Sequence, residues 1–391
     1  MLKRNLLWLS ATAVLIGLPV VAHAGAFTAG DIVVEQIGNG AAALSGSSQA
    51  VFLDEYTPTG TLVQSIALPT TSTVGGNQAL TESGTATTDG MIELSPNGQY
   101  LTVPGYDTGT GTASVASSSG STVNRTIGLV TSTGVVDTTT HANFFSGNNF
   151  RSVVTTDGTT FYVGGTGTSP DKGIEQIAYQ GSTTTSINTT AADALSIYNG
   201  TLYSTTTASS STAIVQVGTT GTLPTGSVSE TNFTGLPLGS TNDSPHQFVI
   251  FNEGGNQVAY LADDTGIAIT KYELISGTWT AEGKVGTGGN DMTGLTGSYN
   301  PSTGAVTLFA TELNGDSTSG AAALFVTITD SSGAGGTLSG SLTTLATAGT
   351  NETFAGVAFA PVAAPEPASM VLAAIGLLGL AGYGWRRNRA A

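Results

Sequence analysis

The sequence predicts an all-β protein built as a six-bladed β-propeller, and three observations carry that expectation. Apolar residues recur with period two in short runs separated by Gly, Asn, Asp and Ser clusters. No window sustains a helical period. A unit of strand, tight turn and strand returns along the middle of the chain, which is the signature of a repeat architecture.

The clearest copy of the unit is Met91–Val103, where Asn97-Gly98 favours a hairpin turn with positive φ. It recurs at Ser152–Val163 around Asp157-Gly158, and more weakly at Ala194–Tyr203, Phe248–Ala262 and Leu295–Phe309. A second strand pair follows, as in Thr126–Val130 with Gly134–Asp137, Ile174–Tyr179 with Thr183–Ile187, and Ile267–Leu274 with Thr278–Val285. Four strands in roughly 50 residues is the size of a propeller blade. Asp31–Ile37, Val51–Tyr56 and Thr61–Leu68 supply three strands that lack an innermost partner. Phe354–Phe359 is expected to provide it, so that the C-terminal strand pairs with the N-terminal ones and closes the ring. A parallel β-helix or an array of β-sandwiches is the competing architecture, but a β-helix would show shorter, more uniform coils.

Composition narrows the function. Charged residues make up 9% of the 391-residue chain, against about 25% in an average soluble protein. Polarity comes instead from hydroxyls and turns. There is no cysteine, so disulfides, thiolate metal sites and a Cys nucleophile are excluded. The net charge of −16 understates the middle: two basic residues in front, and three arginines against one glutamate behind, account for +4, leaving −20 between them. Nucleic-acid binding, which needs clustered Lys and Arg, is thereby excluded.

Residues 1–24 read as a signal peptide: Lys3-Arg4, the apolar stretch Leu6–Val21, and Ala22-His23-Ala24 as a small-x-small cleavage site. Residues 25–361 form the expected propeller ectodomain. Residues 362–391 form a tail with Pro365-Glu366-Pro367, an apolar segment over 368–385 long enough for one transmembrane helix, and a basic end over 386–391. Basic residues stay cytoplasmic, so both ends predict one topology, with the ectodomain outside.

This tail resembles the PEP-CTERM sorting signal of exported bacterial proteins: a Pro-Glu-Pro motif, a short apolar segment with scattered Gly, and a terminal Arg cluster. Ala364 stands where that family usually has Val. The resemblance implies that Pro365, Glu366 and Pro367 are recognised by an exosortase, with Arg386, Arg387 and Arg389 as the topology anchor. It further implies signal-peptidase cleavage, transient anchoring in the inner membrane, and release to the cell surface or an exopolysaccharide matrix. Ser95-Pro96-Asn97-Gly98 is similar to hairpin turns common in bacterial propellers, a likeness of fold only.

Polar residues precede each expected inner strand: Asp89, Asn149 with Arg151, Asp193, Asp243 with His246, Asp291, and Glu352. If they gather at one channel mouth they form a ligand site, and their oxygen donors suit Ca²⁺; the competing explanation is turn capping. Adjacent Asp263-Asp264 is expected to diverge, because neighbours on a strand point to opposite faces. Two histidines cannot build a three-His zinc site, no His-Glu-x-x-His pattern exists, and no Gly-x-Ser-x-Gly elbow is present. The Ser/Thr tracts 112–122 and 205–212 could contact matrix polysaccharide. The expectation is therefore a non-enzymatic binding or structural module with a polysaccharide or surface-protein partner and no cofactor other than Ca²⁺. The alternative is a propeller-type hydrolase or lactonase that uses the acidic mouth.

Overall fold

A computed structural model describes residues 25–168, 172–239, 244–264, 267–286, 291–313 and 322–364. The signal segment and the sorting motif lie outside these, as does the expected transmembrane helix 368–385. Among the described residues no helix is long and apolar enough to cross a membrane.

The strands, in chain order, are β1 (Ile32–Ile37), β2 (Ser48–Tyr56), β3 (Leu62–Ala67), β4 (Thr81–Ser83), β5 (Glu93–Leu94), β6 (Tyr100–Tyr106), β7 (Arg125–Thr131) and β8 (Val136–Ala142). Then come β9 (Phe150–Thr155), β10 (Thr160–Gly165), β11 (Gly173–Ala178), β12 (Thr184–Asn188), β13 (Leu195–Tyr198), β14 (Thr201–Thr205), β15 (Ile214–Val217) and β16 (Glu230–Asn232). The last are β17 (Pro245–Glu253), β18 (Asn256–Asp263), β19 (Ala268–Ile275), β20 (Thr278–Val285), β21 (Asp291–Asn300), β22 (Ala305–Leu313), β23 (Leu324–Asp330), β24 (Thr343–Thr347) and β25 (Thr353–Phe359).

The architecture is propeller-like, but the expectation of six blades, closed by pairing the C-terminal strand with the N-terminal strands, is corrected to four blades and one larger sheet. β9–β12, β13–β16, β17–β20 and β21–β24 form four discrete four-stranded blades that no strand ladder joins to one another. The remaining strands form one nine-stranded sheet. Within it, β25 pairs with β1 and β1 with β2, Ile32 facing both Phe359 and Tyr56. The physical reason for the merger is β4, which pairs with the end of β2 through Ser48–Ala50 and with β6 through Thr81 and Tyr106.

Period-two patterning places the cores between sheets, because alternate residues of a strand face opposite sides. Val33, Leu53, Leu80, Val103 and Val130 pack in one such layer, and Tyr260, Leu295, Leu308 and Val326 in another. Tight turns end the strands as the residue types demand: Gly98 and Gly158 take φ of 73° and 81°, a region that only glycine enters freely.

At the centre the innermost strands meet, and Gln247 of β17 ties three of them. Its Nε2 donates to the Ile92 carbonyl at 2.6 Å, and its Oε1 accepts from the backbone N–H of Leu295 at 3.2 Å and of Val357 at 3.0 Å. All three partners are buried, so truncating this side chain strands two donors and an acceptor. Gln247→Ala is expected to destabilise the protein by about 2–4 kcal/mol, since an unsatisfied buried group costs about 1–3 kcal/mol. Urea unfolding checks this; an unchanged midpoint would show that the inner strands do not depend on the tie.

Candidate functional site at the mouth

In an antiparallel meander the segments entering the inner strands share one face with the loops joining each blade's second and third strands. This face is called the mouth below. Asp89, Asn149, Arg151, Asp193, His246, Asp291 and Glu352 all lie on it, in two groups with Glu352 apart from both. Asp243 lies outside the described residues.

The first group is built on Asp89. Its carboxylate is fully buried and accepts from the Tyr106 hydroxyl at 2.7 Å and from Asn149 Nδ2 at 2.7 Å. Burial pushes its pKa up to about 6, against the pull of these donors and of Arg151 and Arg125. Arg151 forms an ion pair with buried Asp193. Arg125 donates to the carbonyls of Val123, Ser118, Phe145 and Asn148, and stacks 4.9 Å from the Tyr106 ring centre. Beside Asp89 lie two carboxyls that the sequence reading missed, Glu35 of β1 and Glu82 of β4. Both are fully buried. Burial, and then the neighbouring carboxylates, push both well above the usual range. The only sequence signal was a lone Glu among apolar residues, as in Ile32-Val33-Val34-Glu35. Asn149 also lines a cleft of about 330 Å³ with Ser83, Thr85, Ser114 and Ser117, open at the mouth.

The second group is His246, Asp264 and Asp291. His246 is the second residue of β17 and is buried, and its Nε2 stands 3.6 Å from Asp264 Oδ2. Asp264 follows the end of β18, and Asp291 opens β21 and hydrogen-bonds to it. Desolvation followed by the bond and charge of Asp264 raises Asp291 to about 7. Desolvation also acts on Asp264, but His246 and the Asp291 proton outweigh it and hold Asp264 below the ordinary range. The pair thus shares one proton, donated by Asp291. Asp264 is 21% exposed, so this pair, unlike Asp89, can reach a substrate. Asp264 was expected to diverge from Asp263. It does, since Asp263 instead accepts from the Ser244 N–H at 3.1 Å, but Asp264 has already left the strand and turns to Asp291.

Glu352 caps its own turn, accepting from the Gly349 N–H at 3.0 Å. No group of three or more His, Cys, Asp or Glu side chains set to hold a metal ion occurs among the described residues.

Raised carboxyls make stability fall with pH. Each binds its proton more tightly in the folded state, so its contribution is complete below the unfolded value and is lost as pH climbs through the folded one. Glu93 on β5 extends this window: burial, opposed by a hydrogen bond from Ser196, carries it up to about 8. Thermal melts between pH 5 and 8.5 should therefore show Tm highest at the acidic end. Glu93→Gln should flatten the limb between about 4.5 and 8; an identical profile in the variant would remove Glu93 from this account.

Residues 363–389 match the family model for the PEP-CTERM protein-sorting motif. The chain thus pairs a propeller-like body with a sorting signal, and it is an exported protein whose tail marks it for exosortase processing. No curated protein matches it. Among solved structures it is similar to a candidate 6-phosphogluconolactonase from Bacteroides uniformis, at 14% identity and TM-score 0.43, covering 81% of this chain and 82% of that one. A candidate 6-phosphogluconolactonase from Bacteroides fragilis is similar at 11% identity and TM-score 0.44, covering 82% of each. Prolyl oligopeptidase B from Galerina marginata is similar at 12% identity and TM-score 0.33, over 78% of this chain and 39% of that one.

Superposition at this level speaks to architecture only. The expectation of a non-enzymatic binding or structural module gives way to the site itself, a hydrogen-bonded carboxyl pair beside a buried histidine at the mouth.

Proposed function

We propose that the body is an exported hydrolase of the lactonase or esterase kind, working at the acidic mouth. The observation that supports this is the Asp264–Asp291 pair, in which one carboxyl is held below the ordinary range and its partner is raised to about 7. Two carboxyls whose environments push their pKa values apart are suited to act as base and acid. Asp264 takes a proton from water, and the hydroxide attacks the substrate carbonyl. Asp291 then gives its proton to the departing alkoxide oxygen as the C–O bond breaks, and the hydrogen bond between the pair returns the proton to Asp291. His246 holds Asp264 in place.

A neutral substrate fits best. Arg125 and Arg151, the only described arginines, are committed to carbonyls and to Asp193, and the middle of the chain carries −20. Assay of the secreted chain against neutral lactones and carboxylic esters tests the reading. Hydrolysis above the buffer rate is expected, and its absence across both classes would overturn the proposal.

For its address, the proposal is signal-peptidase removal of residues 1–24, transient inner-membrane anchoring through 368–385 with Arg386, Arg387 and Arg389 inside, and release to the surface or matrix. Polysaccharide contact through the hydroxyl-rich tracts and Ca²⁺ at the mouth are further parts of it. A rise in Tm at millimolar Ca²⁺ is the check on the ion.

A further inference from the structure

The face opposite the mouth carries the start of β1, the end of β25, and five of the eight large apolar side chains exposed among the described residues. β25 ends there, and the chain leaving it is strapped down: the Ala360 N–H donates to the Asp31 carbonyl at 2.9 Å, and the Val362 N–H to the Gly98 carbonyl at 2.7 Å. The sorting-motif match begins at the next residue, 363. The same face holds the turn after β2 and the turns linking β7 to β8, β11 to β12 and β19 to β20. At these turns stand Leu62 (51% exposed), Val135 (51%), Tyr179 (38%) and Ile275 (44%), with Val362 (37%) on the strap. Of the large apolar residues exposed elsewhere, Val63 adjoins Leu62 on β3, Val74 stands in the long connection between β3 and β4, and Leu238 lies on the mouth side.

From this we propose that the face opposite the mouth rests on the lipid surface while the chain is tethered, so that the mouth points away from the membrane. The inference rests on the transient anchoring proposed above. Tether length supports it. Five residues separate the pinned Val362 from the start of the apolar segment at 368, and the six steps from one to the other span at most about 20 Å when fully extended. A body of this size is about 40–50 Å across. The strap is therefore too short to let the molecule roll its mouth onto the bilayer. The ring at the turns supplies the contact: apolar side chains spaced around a rim can enter the interface together. The turns 57–61, 132–135, 179–183 and 276–277 contain no Lys or Arg, so the contact depends on apolar burial rather than on attraction to anionic headgroups.

The chain has no cysteine, which makes single labels unambiguous. Full-length protein carrying Val135→Cys, Ile275→Cys or Leu238→Cys is labelled with an environment-sensitive dye and reconstituted into phosphatidylcholine vesicles containing a lipid-borne quencher. Quenching of the Val135 and Ile275 labels, at least threefold stronger than of the Leu238 label and unchanged by salt, is expected. Equal quenching at all three positions, or stronger quenching at Leu238, would overturn the orientation. Protein that does not float with the vesicles at all would instead refute the anchoring on which it rests. As an independent readout, Leu62→Ser with Ile275→Ser in the Val135→Cys chain should reduce quenching of the Val135 label while flotation persists; undiminished quenching would remove the apolar ring from the account.

Discussion

Replacing Asp291 by Asn is expected to lower kcat against a neutral lactone by about 10²- to 10⁴-fold, the range supplied by general acid–base catalysis. The substitution keeps the shape of the side chain and removes the transferable proton. Asp264→Asn should have a similar effect by removing the base. The pH profile discriminates this from a structural loss. Activity requires Asp264 ionised and Asp291 protonated, so in the wild type the rate should rise from the acid side and fall as pH passes about 7, where Asp291 gives up its proton. In the Asp291→Asn chain the residual activity should lose that alkaline limb. Full activity in either variant, with the limb intact, would place the chemistry elsewhere at the mouth. His246→Gln should have a smaller effect, because its ring acts through Asp264 and does not itself reach the substrate.

Replacing Lys271 by Met should cost about 3–5 kcal/mol of stability, the price of breaking a buried ion pair from one side. Lys271 of β19 is completely buried, and its Nζ reaches Asp330 at 2.8 Å, Ser332 Oγ at 3.0 Å, and the carbonyls of Gly333 and Gly336 at 2.7 and 2.9 Å. It lies 5.9 Å from the Tyr260 ring centre, and the Tyr260 hydroxyl also donates to Asp330 at 2.8 Å. Methionine fills the volume but leaves the Asp330 carboxylate buried without its cation. The network joins the third strands of neighbouring blades, so the loss should appear in the urea midpoint while the mouth chemistry is spared. A double change, Lys271→Met with Asp330→Asn, should recover part of the stability by removing the stranded charge. A single variant as stable as the wild type would show that the pair is dispensable.

What the sequence revealed follows from which interactions are local. Hairpins such as those at Asn97-Gly98 and Asp157-Gly158 are specified by residues next to one another, so their turns were legible. The nine-stranded sheet was not, because β4 is three polar residues, Thr81–Ser83, without an alternating pattern, and its partners Ser48–Ala50 and Tyr106 are distant in sequence. The mouth was half legible for the same reason. Polar residues ahead of the inner strands pointed to His246, Asp291, Asp89 and Asn149. Asp264 escaped because strand alternation was applied one residue past the end of β18. Glu35 and Glu82 escaped because a carboxyl inside a strand gives no hint of which other carboxyls it will meet.

The pairing of β25 with β1 sets an order of events in export. A chain that crosses the membrane N-terminus first delivers Ile32 at once, but the partner it needs, Phe359, arrives only after nearly the whole body. Until then the inner edge of β1 remains an open template for strand addition, the hazard that unpaired edges present. The apolar segment at 368 follows within nine residues of that partner. On the anchoring proposed above, completion of the body and arrest in the membrane are nearly simultaneous, and a chain cut short before Thr353 would lose its last strand and its sorting motif together, leaving an edge ready to aggregate.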